Sequence, residues 1–268
     1  MNATERPCTI DELNAVFLSR QIADGERALV GANVPVPRAG VLLAHLHHGP
    51  NMIVMLAHTR TNLYDEPVMP DFASLTDWRQ SRWAESQYIH YEVFDAFDKI
   101  TDLFAVGALQ IDPYGNANLI GVGDDYRRLK FRGPGAVGTP SAATSIGRYY
   151  LYVASHDRRI FVERCDFVST FGWGEGGDHR ERLGFPGGGP RFCITPLCIF
   201  DFEEQSKRMR LHSLHPGVSV DDVLRNTGFE PIVPAHVPQT EPPTEEELRL
   251  LRGRVDPGGI LRRRERAG

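Results

Sequence analysis

The chain has 268 residues, of which 41% are hydrophobic and 24% charged, and its formal net charge is -5 at pH 7. This is an ordinary globular composition, and the charge balance excludes a basic field that would draw the molecule to nucleic acid or to an anionic membrane. No apolar run approaches the ~20 residues that span a bilayer, and the first seven residues form no targeting segment, so the expected address is cytoplasmic.

Helix and strand signals alternate along the chain. Thr9 followed by Glu12 makes a capping box that opens a helix through Leu13, Val16, Phe17 and Ile22. Asp24-Gly25 ends it, and Ala28 to Gly31 reads as a short strand. After the loop Ala32 to Pro35 comes a helix with Val41, Leu42, Leu43 and Leu46, closed near Gly49-Pro50. Met52 to Ala57 is a continuous apolar run of strand length. Residues 60 to 86 read as loop and Tyr91 to Phe97 as helix. Leu103 to Leu109 is the clearest strand, running into a tight turn at Asp112-Pro113-Tyr114-Gly115-Asn116. Tyr149 to Ala154 and Phe192 to Phe202 are further strands, with Arg208 to Ser213 alternating like a hairpin partner. Val220 to Arg225 and Glu245 to Leu251 are short helices, the latter capped by Thr244. The pattern predicts an α/β fold with a single open, mainly parallel sheet flanked by helices. One domain is expected over residues 1–260, followed by a basic, frayed tail over residues 261–268.

Several groups invite a chemical reading. Arg132-Gly133-Pro134-Gly135-Ala136-Val137-Gly138 is a loop whose glycines let backbone N–H groups approach an oxyanion or phosphate, against the alternative of a plain surface loop. It carries neither a Walker Gly-Lys-Ser/Thr nor a dinucleotide fingerprint. Phe185 to Pro190 reads as a turn into the next strand. His156-Asp157-Arg158-Arg159 fits a phosphate contact or a solvated loop. His45, His47, His48 and His58 cluster without HExxH spacing, and no metal site is predicted from them. Cys8, Cys165, Cys193 and Cys198 lack CxxC spacing; the last three are expected to be buried thiols in strands.

A series of motifs, taken in order, resembles the β subunit of the family I CoA-transferases, of the glutaconate CoA-transferase kind. They run from Ala108 to Asn116, through the Gly133 to Gly138 loop, His156 to Val162, Gly172-Trp173 and Arg180 to Gly184. His215 to Val218, Asn226 to Phe229, Glu241 to Thr244 and Asp256 to Gly258 complete the set. The resemblance implies a CoA-transferase (NagB/RpiA-like) fold, an α-type partner subunit in a heterodimer or heterotetramer, and an acyl-CoA thioester as substrate. Coenzyme A then enters as part of the substrate, with no separate cofactor. It also implies a glutamate nucleophile at the end of the second parallel strand, in a Glu-Ser-Gly-like motif. Carried over from Pro50-Asn51 without a gap, those three positions are Ala57, His58 and Thr59, so the carboxylate is missing. Asp65 and Glu66 reach that place only if the Met52 to Leu56 strand is broken. A steroid-ring-opening branch of the fold, acting as a hydrolase, also lacks this glutamate and carries an arginine before the glycine loop, where Arg132 stands here. A third possibility is a non-catalytic scaffold subunit. On the enzymatic readings, Arg132 anchors an anionic group. His58 reads either as general base or as a structural strand-end histidine. Asn33, Gly133, Gly135, Ala136 and Gly138 line the substrate, with backbone N–H groups of Gly135 and Ala136 as an oxyanion hole.

Overall fold

In the computed structural model the described residues are 7–31, 34–56, 59–61, 84–88 and 95–263. They fall into two compact units. The first comprises the chain up to Ala96, Ile100–Leu103 and everything from Glu241; the second comprises Phe97–Lys99 and Phe104–Thr240.

The first unit opens with helix α1 (Ile10–Ser19), where the Thr9 hydroxyl accepts the Glu12 N–H and the Glu12 carboxylate accepts the Thr9 N–H, as the capping box requires. Strand β1 (Arg27–Val30), helix α2 (Pro35–His47) and strand β2 (Ile53–Leu56) form a right-sized β-α-β crossover, and β1 and β2 pair in parallel from Arg27↔Ile53 to Val30↔Leu56. Helix α2 is buried from Pro35 to His45. Gly40 lets it close onto α1: a Cβ there would press on the Ala15 carbonyl and Leu18. β3 (Thr59–Thr61) and β4 (Ser86–Gln87) then add antiparallel, in the order β1-β2-β3-β4.

The C-terminal segment returns to this unit. Thr244 caps helix Glu245–Leu250 with Glu247 in a second capping box, and a wide turn follows at Leu251–Val255. From that turn Arg252 donates bidentately to Glu12 at 2.8 Å on both oxygens, a fully buried ion pair that also satisfies the Pro7 carbonyl. Arg20 reaches Glu247 in the same way. Leu261, at the start of the expected tail, is buried, and Asp256 accepts its N–H at 3.0 Å; residues 264–268 lie outside the described residues.

In the second unit, β5 (Leu103–Gly107) and β10 (Arg148–Tyr152) are neighbours, and β10 pairs in parallel with β11 (Pro190–Ile194). β12 (Cys198–Phe202) and β13 (Met209–Leu214) add antiparallel by short turns. The α/β class is as expected: strands run parallel where long crossovers join them and antiparallel where tight turns do. The stretch read as Phe192 to Phe202 is two strands broken at Thr195-Pro196, because proline cannot continue the ladder. Two small hairpins leave the sheet, β6–β7 (Gln110–Ile111, Ala117–Asn118) and β8–β9 (Gly121–Val122, Phe131–Arg132). Cys193 and Cys198 are buried strand thiols, whereas Cys165 is buried in an irregular segment, its thiol on the Asn116 carbonyl. No described helix is long and apolar enough to cross a membrane. Most of the 60–86 loop and of the Tyr91 to Phe97 helix lies outside the described residues, with a single turn described at Phe97–Ile100.

Candidate functional site

Parallel pairing of Val30 with Leu56 brings the C-terminal ends of β1 and β2 to one edge of the first unit. That edge is where open α/β sheets bind ligands. β3 pairs back onto β2 through Leu56↔Thr59, Met55↔Arg60 and Val54↔Thr61, and β2 ends at Leu56. Asn33, Ala57 and His58 themselves lie outside the described residues. The other clustered histidines are at the opposite end of α2. His45 Nδ1 is 3.0 Å from the Gly49 carbonyl and His48 Nε2 is 2.9 Å from that of Ile22, so both tie down the end of the helix.

At the same edge, in the first turn of α2, stands a residue that the sequence reading passed over. Arg38 is only 6% exposed, its Nε is buried without an acceptor, and its guanidinium makes no ion pair or hydrogen bond among the described residues. Desolvation alone moves its pKa, downward. The available signal was compositional: from Val34 to Ala44, Arg38 is the single charged residue in an otherwise apolar helix.

In the second unit the glycine loop is held by a lattice of polar contacts. Asn118 Nδ2 donates to Gln110 Oε1 and to the Gly121 carbonyl, both at 2.7 Å, while its Oδ1 accepts the Ile120 N–H at 2.9 Å. Leu119 N–H donates to Ser169 Oγ at 2.9 Å. The loop then docks on this frame: Gly133 N–H donates to the Ile120 carbonyl and Gly135 N–H to that of Leu119, at 2.9 and 3.1 Å. Gly133 must be glycine because a Cβ would overlap the Leu119 carbonyl. Gly135 and Gly138 have φ of +95° and +75°, and even Val137 is at +49°.

The Gly135 N–H is therefore already engaged, and its place in the loop is conformational. Among the described residues, the N–H groups of Ala136, Val137 and Gly138 have no acceptor. The Ala136 carbonyl is turned away by Thr139 Oγ1 at 2.7 Å, which also donates to Ser169 O. Arg132, the last residue of β9, is exposed and meets no carboxylate among the described residues; its guanidinium lies 5.0 Å from the centre of the Tyr126 ring. Tyr126 and Phe131 beside it, and Val137 in the loop, are each more than half exposed. The structure thus brings Arg132, Gly133, Gly135, Ala136 and Gly138 together as one unit: a cation with no carboxylate partner, followed by donors with no acceptor, among the described residues.

Other motif residues of this unit serve the scaffold. Burial raises the Asp112 carboxyl to about 6, against the opposing pull of N–H bonds from Tyr114 and from Asn116 backbone and side chain. Asn116 Oδ1 in turn accepts the N–H groups of Gly172 and Gly174. Arg180 donates to the carbonyls of Phe171, Gly172, Ala143 and Gly187. His156 bridges the hydroxyls of Thr195 (2.9 Å) and Thr227 (3.1 Å), and His215 joins Thr240 Oγ1 to the Thr195 carbonyl. Burial pushes both imidazoles down to about 4, so they are neutral at pH 7. Of the basic run after β10, Arg159 folds back on Asp157 at 3.0 Å.

Comparison with known proteins agrees with this architecture. The sequence profile of the Coenzyme A transferase family matches residues 14–226. The β-type chain of 3-oxoadipate CoA-transferase from Pseudomonas knackmussii is 36% identical over 245 residues, covering 90% of this chain and 91% of the relative. The β-type chain of glutaconate CoA-transferase from Acidaminococcus fermentans is 33% identical over 257 residues, 93% of each chain. The crystal structure of that transferase superposes with a TM-score of 0.80, over 94% of this chain and 96% of the matched one. The IpdB chain of a cholesterol ring-cleaving hydrolase from Rhodococcus jostii is 31% identical over 262 residues, 97% of each chain. The IpdAB structure also gives a TM-score of 0.80, with 27% identity and coverage of 96% and 98%. A fold shared end to end and a family profile across most of its length identify this chain as a β-type member of the coenzyme A transferase family.

Proposed function

We propose that this chain pairs with an α-type subunit, in a heterodimer or heterotetramer, to form a cytoplasmic enzyme that acts on an acyl-CoA thioester without carrying CoA covalently on this chain. The observation that carries the reading is the end of β2. The β2–β3 ladder runs from Val54↔Thr61 to Leu56↔Thr59, and the residue that follows Leu56 in the sequence, where the family resemblance puts the nucleophile, is Ala57. A methyl group cannot attack a thioester. Moving Asp65 or Glu66 into that position would break all three pairs. The acyl group is one that keeps a free carboxylate: 3-oxoadipate and glutaconate, which name the two transferase relatives, are both dicarboxylates, and one carboxylate stays free when the other becomes a thioester. CoA is part of the substrate and no further cofactor is required.

A second reading, hydrolytic opening of a CoA-linked ring, is favoured by Arg132. Its guanidinium has no counter-ion among the described residues and precedes the unspent N–H groups of Ala136, Val137 and Gly138, which suits an anionic group beside a developing oxyanion. In that reaction water gives its hydroxyl to the carbonyl carbon and a proton to the departing carbon.

The test is co-expression with the α-type subunit, followed by thioester consumption with and without a carboxylate acceptor. Consumption without acceptor supports hydrolysis; dependence on acetate, with acetyl-CoA formed, supports transfer. In either case hydroxylamine and borohydride trapping should leave the mass of this chain unchanged. A CoA or acyl adduct near Ala57 would overturn the proposal.

A further inference from the structure

The buried guanidinium of Arg38 has no counter-charge among the described residues, and an unpaired cation so deeply buried costs several kcal/mol unless something neutralises it. Arginine does not escape by losing its proton. Two other buried arginines of the chain are satisfied, Arg252 by Glu12 and Arg180 by four carbonyls. Arg38 also sits at a place suited to a ligand. It lies one turn into the 13-residue helix α2, which follows the C-terminal end of β1, and β2 ends at the same edge through Val30↔Leu56. Helical side chains lean toward the helix N-terminus, so the stem of Arg38 leans toward that edge. The helix end itself supplies little to an anion: Val34 makes no side-chain cap, and Pro35 and Pro37 lack N–H groups. Among the described residues of this helix end, the charge is therefore the guanidinium.

We propose that Arg38 is a substrate-binding residue whose guanidinium holds the free carboxylate of the acyl group, and so selects carboxylated acyl-CoA thioesters over plain ones. This rests on the reading that the heteromer acts on an acyl-CoA with a second carboxylate. The planar fork gives two parallel N–H···O bonds to a carboxylate, in a site dry enough for them to discriminate strongly.

The experiment uses the heteromer with wild-type chain, Arg38→Met and Arg38→Lys. Binding of glutarate and butyrate is measured by calorimetry, and KM and kcat are measured for glutaryl-CoA and butyryl-CoA. Wild type should bind glutarate at least roughly tenfold tighter than butyrate. Arg38→Met should erase that preference and raise KM for glutaryl-CoA by roughly 100-fold while leaving butyryl-CoA unchanged, with Arg38→Lys between the two. If Arg38→Met assembles and binds glutarate like wild type, or changes both thioesters equally, the proposal fails. It also fails if Arg38→Met and Arg38→Lys both prevent assembly while glutarate does not bind the wild-type heteromer, because the counter-charge then comes from the α-type chain. Should wild type consume neither thioester yet bind glutarate through Arg38, the functional reading falls and the anion site stands.

Discussion

Arg180, in the second unit, and Arg38, in the first, are 2% and 6% exposed, and their surroundings differ in almost every other respect. Arg180 spends its donors on the carbonyls of Ala143, Phe171, Gly172 and Gly187 and lies against the rings of Phe171, Trp173 and Phe185. Arg38 has no such acceptors among the described residues. Burial lowers the pKa of both, yet among the described residues only Arg180 is repaid in hydrogen bonds. The contrast teaches that a buried charge by itself says nothing about function. A satisfied one is a staple between segments, and an unsatisfied one marks a missing partner.

The sharpest way to break the contrast is to replace each arginine by methionine, which has similar bulk. Arg180→Met leaves the carbonyls of Ala143, Gly172 and Gly187 without its donors, while that of Phe171 keeps the Tyr149 hydroxyl, and a loss of about 3–5 kcal/mol is expected in urea unfolding of the chain. Arg38→Met removes a charge that nothing among the described residues offsets, so the unliganded chain should gain about 1–3 kcal/mol. If both variants lose stability alike, Arg38 is as well satisfied as Arg180 and the difference between the two disappears.

Next in size is the acid response of the lattice around His156 and His215. Both are lowered from 6.5 to about 4 by burial. Between those values the unfolded chain binds protons that the folded chain refuses, so stability rises with pH and is lost as pH falls from about 6.5 through 4. Each histidine contributes on the order of 3 kcal/mol over that window. Asp112 opposes them. Its folded pKa is raised to about 6, so its contribution is full below the unfolded value and is lost as pH rises through 6. His156→Gln and His215→Gln should each lower the slope of stability against pH by about one proton near pH 5. An unchanged slope would mean that these imidazoles titrate normally and are not part of a dry core.

These residues also show how much the sequence could disclose. Thr9-Glu12 and Thr244-Glu247 were legible because a capping box is local, requiring two side chains three residues apart. The strands at Ile53–Leu56 and Leu103–Gly107 were legible because a run of apolar residues of that length has few other uses. The motifs from Asp112 to Asp256 carried the family resemblance, yet most are parts of the scaffold. Asp112 and Asn116 build one turn, Gly228 fits under the Phe161 carbonyl, where a Cβ has no room, and Asp256 caps the turn at Ile260 and Leu261. Such residues announce a fold and not a reaction. Arg38 was illegible for the opposite reason. Its meaning lies in what it does not touch among the described residues, which no local pattern displays.

Arg132 inverts the case of Arg180, being exposed and poised beside the glycine loop. Arg132→Ala is expected to lower kcat/KM of the heteromer by at least roughly tenfold, about 1.4 kcal/mol of transition-state binding. Stability should change by less than about 0.5 kcal/mol, as for other surface positions. Unchanged kinetics would remove Arg132 from the site and leave the loop as scaffold.

Gly135 gives the smallest kinetic effect and the most diagnostic one. Its φ of +95° is one that L side chains rarely adopt, but nothing lies within 4 Å of where a Cβ would stand. Gly135→Ala therefore adds backbone strain without a clash, about 1–2 kcal/mol in stability. The chain relieves that strain by turning the 135–138 segment, and the N–H groups of Ala136, Val137 and Gly138 turn with it. If those donors meet an oxyanion, kcat should fall several-fold with KM nearly constant, since the lost interaction exists only in the transition state. A stability loss with kcat intact would show that the loop's shape serves only the Asn118–Leu119 frame on which it rests.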